Sequence, residues 1–303
     1  LSDLDVVTGA TGYLGRHIAQ RLLSAGRKVR TLTGHPERAS PFGDRVEVAL
    51  YRFDDVGALA ETLRGAQTLY ITYWVRFPRR GVTHEGAVEN SRRLITAAVD
   101  AGVRRVVHVS ITNPSATSDL SYFSGKALVE EAVRDSGLPH TILRPTVMFG
   151  GQDILVNNIA WLLRRLPVFA IPGTGGYRLQ PVLVDDVAAL AVRHGDAAGC
   201  LTIDAVGPEV HTFDALVRLI AGSVRSRARL VHVPPAVALS ALRILGAAVG
   251  DVVLTRAELR GLMDGLLVSD AQPTCPTALS SWLREHGESV GRTYASEVTR
   301  HYR

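Results

Sequence analysis

The chain is nearly without lysine. It carries 34 Lys plus Arg, yet lysine stands only at positions 28 and 126. Cysteine is as scarce. Cys200 and Cys275 lie far apart and in no metal-like spacing, which leaves no disulfide framework and points to a reducing, cytoplasmic location. The ten histidines form no HExxH and no His/Cys cluster, so no metal site is expected. The longest apolar stretch, VPPAVALSALRILGAAVG, opens on prolines and contains Arg243. It is too short for a transmembrane segment and reads as an amphipathic or buried helix. The opening LSDLDVVTGATG lacks the basic-then-apolar order of a signal peptide. Basic residues are dispersed and not interleaved with aromatics, so the net charge of +5 suits an enzyme with an anionic cofactor better than a nucleic-acid partner.

What is present is a globular composition: 303 residues, 46% hydrophobic and 21% charged, enough for one α/β domain with an appended lobe. Short β-type runs alternate with helical patterns up to HTILRP, the signature of a parallel, doubly wound sheet of Rossmann type. LGRHIAQRLLSAG places Leu14, Ile18, Leu22 and Leu23 at helical spacing and ends on Gly26. The expected division is a dinucleotide-binding domain over 1–150, with 178–195 returning to it, and a smaller, mainly helical substrate lobe over 151–303.

Between the first strand and the first helix, VVTGATGYLGR sets Gly9, Gly12 and Gly15 where a tight turn brings backbone to a pyrophosphate at a helix N-terminus. Further on, YFSGKALVEEAV holds Tyr122 and Lys126 four apart, hence on one helical face. A free tyrosine has a pKa near ~10, and a neighbouring ammonium lowers it toward the range useful for proton transfer. Arginine, planar and differently bonded, is a poor stand-in for that lysine.

These stretches, with AGVRRVVHVSIT, TILRPTVMFGG and RLQPVLVDDVAAL in the same order, resemble the atypical and extended short-chain dehydrogenase/reductase superfamily. The subgroup is the one that holds NmrA-like proteins and the complex I 39-kDa subunit. The resemblance covers nearly the whole chain. It implies catalytic roles for Tyr122 as proton donor, Lys126 as ribose ligand and Ser110 as carbonyl polariser, with Thr112 as a substitute. It implies cofactor contacts from Gly9, Thr11, Gly12, Tyr13, Leu14, Gly15, Arg16, Thr33, His35, Arg38, Phe53, Asp54, Thr72, Lys126, Pro145 and Val147. Tyr73, Trp74, Asn158, Trp161 and Gln180 are candidate substrate residues, with core packing or helix capping as the plainer alternative for the later ones. Asp185 and Asp186, at a helix start, fit N-capping.

The second strand, VRTLTGHPER, has no acid at its end to hold ribose hydroxyls. Thr33, His35 and Arg38 stand there, and Arg16 follows the last glycine, which favours NADP(H) over NAD(H). Arg52 stands where the family commonly has an adenine-binding aspartate. Three functions stay open. The first is an NADP(H)-dependent reductase of a small apolar carbonyl or quinone-like substrate, monomeric or homodimeric. The second is a non-catalytic NAD(P)H-binding sensor or accessory subunit. The third is a nucleotide-sugar epimerase or dehydratase.

Overall fold

The computed structural model describes residues 4–301. In chain order the elements are β1 (Leu4–Thr8), α1 (Tyr13–Ser24), β2 (Lys28–Thr33), β3 (Val46–Leu50), α2 (Val56–Leu63), β4 (Ala66–Ile71), α3 (His84–Asp100), β5 (Arg105–Val109), α4 (Ser121–Asp135), β6 (His140–Pro145), β7 (Val147–Phe149) and α5 (Leu155–Arg165). They continue as β8 (Val168–Pro172), β9 (Arg178–Leu179), β10 (Pro181–Leu183), α6 (Val184–Arg193), β11 (Leu201–Ala205), β12 (His211–Thr212), α7 (Phe213–Ser223), β13 (Arg229–Val233), α8 (Pro235–Val249), α9 (Arg256–Met263), α10 (Leu279–His286) and α11 (Glu297–His301).

The chain divides into two compact units. The first runs to Pro145 and resumes over Asp185–Ala205; the second takes Thr146–Val184 and the chain from Val206 onward. The segment returning to the first unit therefore begins later than the expected 178 and brings β11 with it, because β11 pairs in parallel with β6 from Leu201↔Thr141 to Ala205↔Pro145.

The first unit is a Rossmann-type sheet of seven parallel strands in the order β11-β6-β5-β4-β1-β2-β3. β5 is buried at all five positions, as a central parallel strand covered on both faces must be. Helix α1 buries Leu14, Ile18 and Leu22 on one stripe, and Gly26, at φ 74°, supplies the left-handed turn into β2. The strand order reverses at β1, so the crevice beyond the carboxyl ends of β1 and β4 is the topological switch point where ligands bind in such sheets.

Arg105, the first residue of β5, is 3% exposed and fastens the return. Its guanidinium donates to the carbonyls of His194 (2.8 Å) and Gly199 (2.9 Å) and to Thr141 Oγ1 (2.6 Å). Burial pulls the Arg105 pKa down, and the ring of acceptors keeps the charge tolerable.

The second unit packs Phe149, Val156, Leu163, Phe213, Leu216 and Leu283 into its own core, with two-stranded pairs β10–β7, β12–β9 and β13–β8. RLVHV, within a stretch read as mostly helical, is strand β13. Pairing with β8 in parallel from Arg229↔Val168 to Val233↔Pro172 decides it, and that partner lies about sixty residues away in sequence.

Replacing Arg105 with Met removes three charge-assisted bonds that hold the return segment. We expect a loss of about 2–4 kcal/mol in denaturant unfolding, with faster hydrogen exchange concentrated over residues 194–201. Uniform exchange throughout the unit would contradict this.

Candidate active site

The glycine loop is built by close approach. Gly9 takes φ 67°, donates its N–H to the Leu32 carbonyl (2.8 Å) and accepts from Gly12 N–H (2.8 Å). A Cβ on Gly15 would sit 2.3 Å from the Gly9 oxygen and one on Gly12 3.1 Å from it, so the first turn of α1 lies directly on the loop. Thr31, buried in β2, locks the turn from beneath: its Oγ1 accepts from Ala10 N–H (2.9 Å) and donates to the Val7 carbonyl (3.0 Å). Like α4, α8 and α10, α1 has no side-chain cap and no acid in its first turn, and it alone of these starts on the glycine loop. An uncapped N-terminus over a glycine cradle fits a pyrophosphate, whose charge meets the helix dipole. Thr11 and Arg16 are exposed there, while Leu14 turns its side chain into the core.

Thr8 joins the two strands that flank the switch point. Its Oγ1 accepts from the N–H groups of Thr72 (2.7 Å) and Tyr73 (2.9 Å), and the Thr72 hydroxyl donates to the Thr8 carbonyl. Tyr73 then turns toward the β3 side. It meets Tyr51 and Phe53 at ring distances of 5.3 and 5.1 Å, Tyr51 stacks on Phe53 at 4.7 Å, and Asn90 donates to the Tyr73 hydroxyl (3.0 Å). The candidate substrate residue Tyr73 thus joins Phe53, a candidate cofactor residue. Asp54 and Arg52 are exposed nearby, and Asp55 is committed to capping α2.

Trp74 turns the other way, over α4. Tyr122, Lys126 and Glu130 fall at successive turns of one α4 stripe. Lys126 is 3% exposed; its Nζ donates to the Val109 carbonyl (2.7 Å) and lies 4.5 Å from the centre of the Trp74 ring, a cation–π contact. Gly125 makes this possible, since a Cβ there would come within 2.9 Å of the indole. The Trp74 ring stacks on His84 (5.9 Å, 5°), and both present edges to Tyr122 at 5.8 and 5.7 Å. His84 Nδ1 in turn bonds Ser121 Oγ (2.8 Å). Burial pushes the Lys126 ammonium down to about 7, against the pull of Glu130.

Below Lys126 the stripe ends in an ion cluster. Glu130, 1% exposed, takes both arms of Arg144 (2.9 and 2.6 Å) and one of Arg134 (2.7 Å). Burial works to raise this carboxyl, but the bonds from Arg144, Ser110 and Arg134 outweigh it and hold it low. Ser110 therefore lies against Glu130, although its hydroxyl makes no hydrogen bond of ordinary geometry. Ser110 also follows directly on Val109, whose carbonyl holds Lys126 Nζ, so it lies beside the stretch of the stripe between Lys126 and Glu130. His108, fully buried under the same helix with neither ring nitrogen bonded, is held well below its ordinary pKa, by burial first and then by Lys126 and Arg134. Thr112 is buried with its hydroxyl unpartnered, and its N–H bonds the Pro145 carbonyl (3.0 Å), which places these two side by side at the carboxyl ends of β5 and β6.

At the end of β2 the Thr33 hydroxyl accepts from His35 N–H (3.1 Å), and His35 Nδ1 pairs with Glu37 (3.2 Å). Glu37, in HPER, is an acid four positions past the end of β2, not at the strand end itself. His84, His108, Glu130 and Arg144 were missed. Only Glu130 had a sequence signal, the i, i+4, i+8 continuation of Tyr122 and Lys126.

Within the second unit, Asn158 bonds the Ala295 N–H and carbonyl (both 2.9 Å), Trp161 packs on Tyr294 and under Arg165, and Gln180 bridges the Gly207 carbonyl (2.8 Å) and Ser269 N–H (3.2 Å). These contacts hold the second unit together. Val147 packs against the second core from β7. Asp185 receives Arg21 (Nε 3.1 Å) and His17 (3.4 Å) on α1, so it ties α6 to α1. A surface hollow of about 500 Å³ beside that tie, lined by Arg21, Ser24, Ala25, Ala189, Val192 and Arg193, contains none of the site residues.

Residues 9–156 match the NAD(P)H-binding family. The chain is 28% identical over 75% of its length to the mitochondrial NADH dehydrogenase (ubiquinone) 1 alpha subcomplex subunit 9 of Arabidopsis thaliana, spanning 60% of that protein. It is 35% identical over 52% of its length to the (4-alkanoyl-5-oxo-2,5-dihydrofuran-3-yl)methyl phosphate reductase of Streptomyces griseus, spanning 50% of it. The chain thus spans less than two thirds of the length of these relatives. Among solved structures, an NADPH-dependent quinone oxidoreductase of Escherichia coli in complex with NADPH superposes with a TM-score of 0.74 at 22% identity, covering 93% of this chain and 99% of that one. This likeness is one of fold.

Two predictions follow from the geometry. Gly15→Ala drives a methyl into the Gly9 carbonyl, so stability should fall by about 1–3 kcal/mol and dinucleotide affinity by about tenfold or more. Gly57→Ala, within α2 and with no neighbour closer than 3.5 Å, should leave affinity unchanged and raise stability by up to about 1 kcal/mol. The Lys126 ammonium has its folded pKa lowered from 10.5 to about 7, so the unfolded chain binds the extra proton between those values and stability from this group rises with pH through that window. Lys126→Met should be the more stable protein at neutral pH and lose that advantage as the pH climbs toward 10. A stability difference that stays constant in denaturant titrations across the window would rule the shift out.

Proposed function

We propose, from the match of residues 9–156 to the NAD(P)H-binding family, that the protein is an NADP(H)-dependent reductase acting on a small apolar carbonyl or quinone-like compound. The observation that carries the reading is the α4 stripe: Tyr122 and Lys126 stand one turn apart, both against Trp74, with Lys126 poised at about 7. The glycine cradle and uncapped α1 suit the pyrophosphate. When bound, the nicotinamide supplies the hydride. Tyr122 would give its phenolic proton to the carbonyl oxygen of a bound substrate, and the Lys126 ammonium would stabilise the phenolate left behind. Trp74 and His84 shield the phenol from water on two sides. Arg16 and Arg38 favour a 2′-phosphate, and Glu37, paired with His35, works against it.

A second reading, a non-catalytic NAD(P)H-binding protein, draws on a different observation. Lys126 is covered by Trp74 and bonded to the Val109 carbonyl, so its ammonium is already engaged within the protein, and the buried Ser110 hydroxyl lies against Glu130. The subunit of NADH dehydrogenase among the relatives accords with it.

Parallel titrations of the protein with NADPH and NADH, followed by nucleotide fluorescence and a carbonyl and quinone screen, separate the readings. The reductase reading expects tighter NADPH binding and turnover that Tyr122→Phe lowers by about 100-fold or more, with the NADPH dissociation constant within about twofold. NADPH binding without turnover supports the second reading. Full activity of the Tyr122→Phe enzyme would sink the mechanism.

A further inference from the structure

Helix α8 is a well-formed helix that the second unit covers on one side only. Pro235 opens it at the first turn, where its missing N–H costs nothing, and Gly250 closes it in the left-handed conformation. Ala238 and Gly246 are its buried residues, and Leu245 packs against the second core. On the opposite side Val237, Ala241, Ile244 and Ala248 recur at helical spacing and are all exposed, Val237 at 53% and Ile244 at 74%. Arg243 is the one charged residue of the fifteen. A helix apolar on both sides is expected inside a core or against another apolar medium. Exposed apolar groups continue on the outward face of the β8–β13 ribbon, where Val168 and Val231 are 44% and 37% exposed while Phe169 and Leu230 turn to the core.

The segment that builds this face carries charge of one sign, with Asp214 meeting it at His232 of β13 (3.1 Å). Between Asp214 and Asp251 there is no carboxylate and there are five arginines. Arg218 pairs with Asp214, but Arg225, Arg227, Arg229 and Arg243 are exposed and pair with no carboxylate among the described residues. Three of the four sit at alternate positions just before and at the start of β13, which leads through Pro234 straight into α8.

We infer that α8 and the Arg225–Arg229 segment form a docking surface for an anionic lipid bilayer, with α8 lying in the interface and the arginines on lipid phosphates. Exposed apolar side chains on a preformed helix flanked by unpaired cations are the composition of an interfacial helix. At fifteen residues, about 22 Å, α8 is too short to cross the roughly 30 Å hydrocarbon layer, and no described helix is long and apolar enough to do so. A second copy of this chain fits the charge poorly. A two-fold contact through α8 brings the same arginines toward one another with no carboxylate in the segment to meet them. The surface lies wholly within the second unit and does not depend on the reductase reading.

The test is co-sedimentation of the full chain with vesicles of phosphatidylcholine alone and with about one-third phosphatidylglycerol. We expect at least about tenfold more protein on the anionic vesicles, most of it released at about 0.5 M salt. Ile244→Asp and Val237→Asp, both at exposed positions, should each cut binding about tenfold with an unchanged circular dichroism spectrum, and the triple Arg225→Ala, Arg227→Ala, Arg229→Ala variant should abolish the preference for anionic lipid. Equal binding to both vesicles, no binding to either, or full binding by both Asp variants overturns the proposal. So does a sedimentation experiment in which the protein is a dimer that Ile244→Asp converts to monomer, which assigns the face to self-association.

Discussion

A single ammonium sets the terms for the layer between α4 and the sheet. Lys126 Nζ is held by one carbonyl, that of Val109, and one ring, that of Trp74. Burial of a cation is tolerable only where its surroundings answer the charge, and here the answers come from separate parts of the chain. Val109 ends the central strand, Trp74 follows the neighbouring one, Gly125 clears room for the indole, and Glu130 supplies a carboxylate one turn below. Glu130 in turn needs Arg144 from β6 and Arg134 from its own helix. A change at any of these positions reaches the lysine, and through Trp74 it reaches Tyr122.

The same layer explains why Tyr73 and Trp74, adjacent in sequence, serve two environments. The Thr8 hydroxyl pins both strand ends by receiving two consecutive N–H groups, so the chain leaves β4 in a fixed direction. Tyr73 completes an aromatic group with Tyr51 and Phe53 at the β3 side of the switch point, while Trp74 and His84 enclose the phenol of Tyr122. The glycine loop lies between these two groups, held by Thr31 from below. The glycine loop and the Tyr122–Lys126 pair thus share one row of strand ends, the side of such sheets where ligands bind.

In the second unit, polarity is spent on cohesion. Asn157 and Asn158 are buried on α5, and their amides hold the backbone of 291–295, to which the chain returns after more than 130 residues. Gln180 does similar work between β10, Gly207 and Ser269. A buried amide near a lobe boundary has the sequence signature of a ligand contact, but an amide bonds backbone as readily as substrate. α8 is the exception to this economy, since its outward side is neither spent nor covered.

Much of the first unit was legible because its elements are local. Alternating strands and helices, the glycines at the first turn and the one-face pairing of Tyr122 with Lys126 follow from periodicities of two and 3.6 residues and from the conformational freedom of glycine. What only the tertiary structure decided depended on partners distant in sequence. The depressed Lys126 comes from burial under Trp74, fifty-two positions away, and the setting of Ser110 against Glu130 comes from the register of α4 on β5. β13 is a strand because β8 lies beside it, and the return of 185–205 to the first sheet rests on Arg105 and the edge of β6. A sequence fixes which side chains share a helix face or a strand face. Which face meets which, and so which charge is stripped of water, is settled only when the chain folds back on itself.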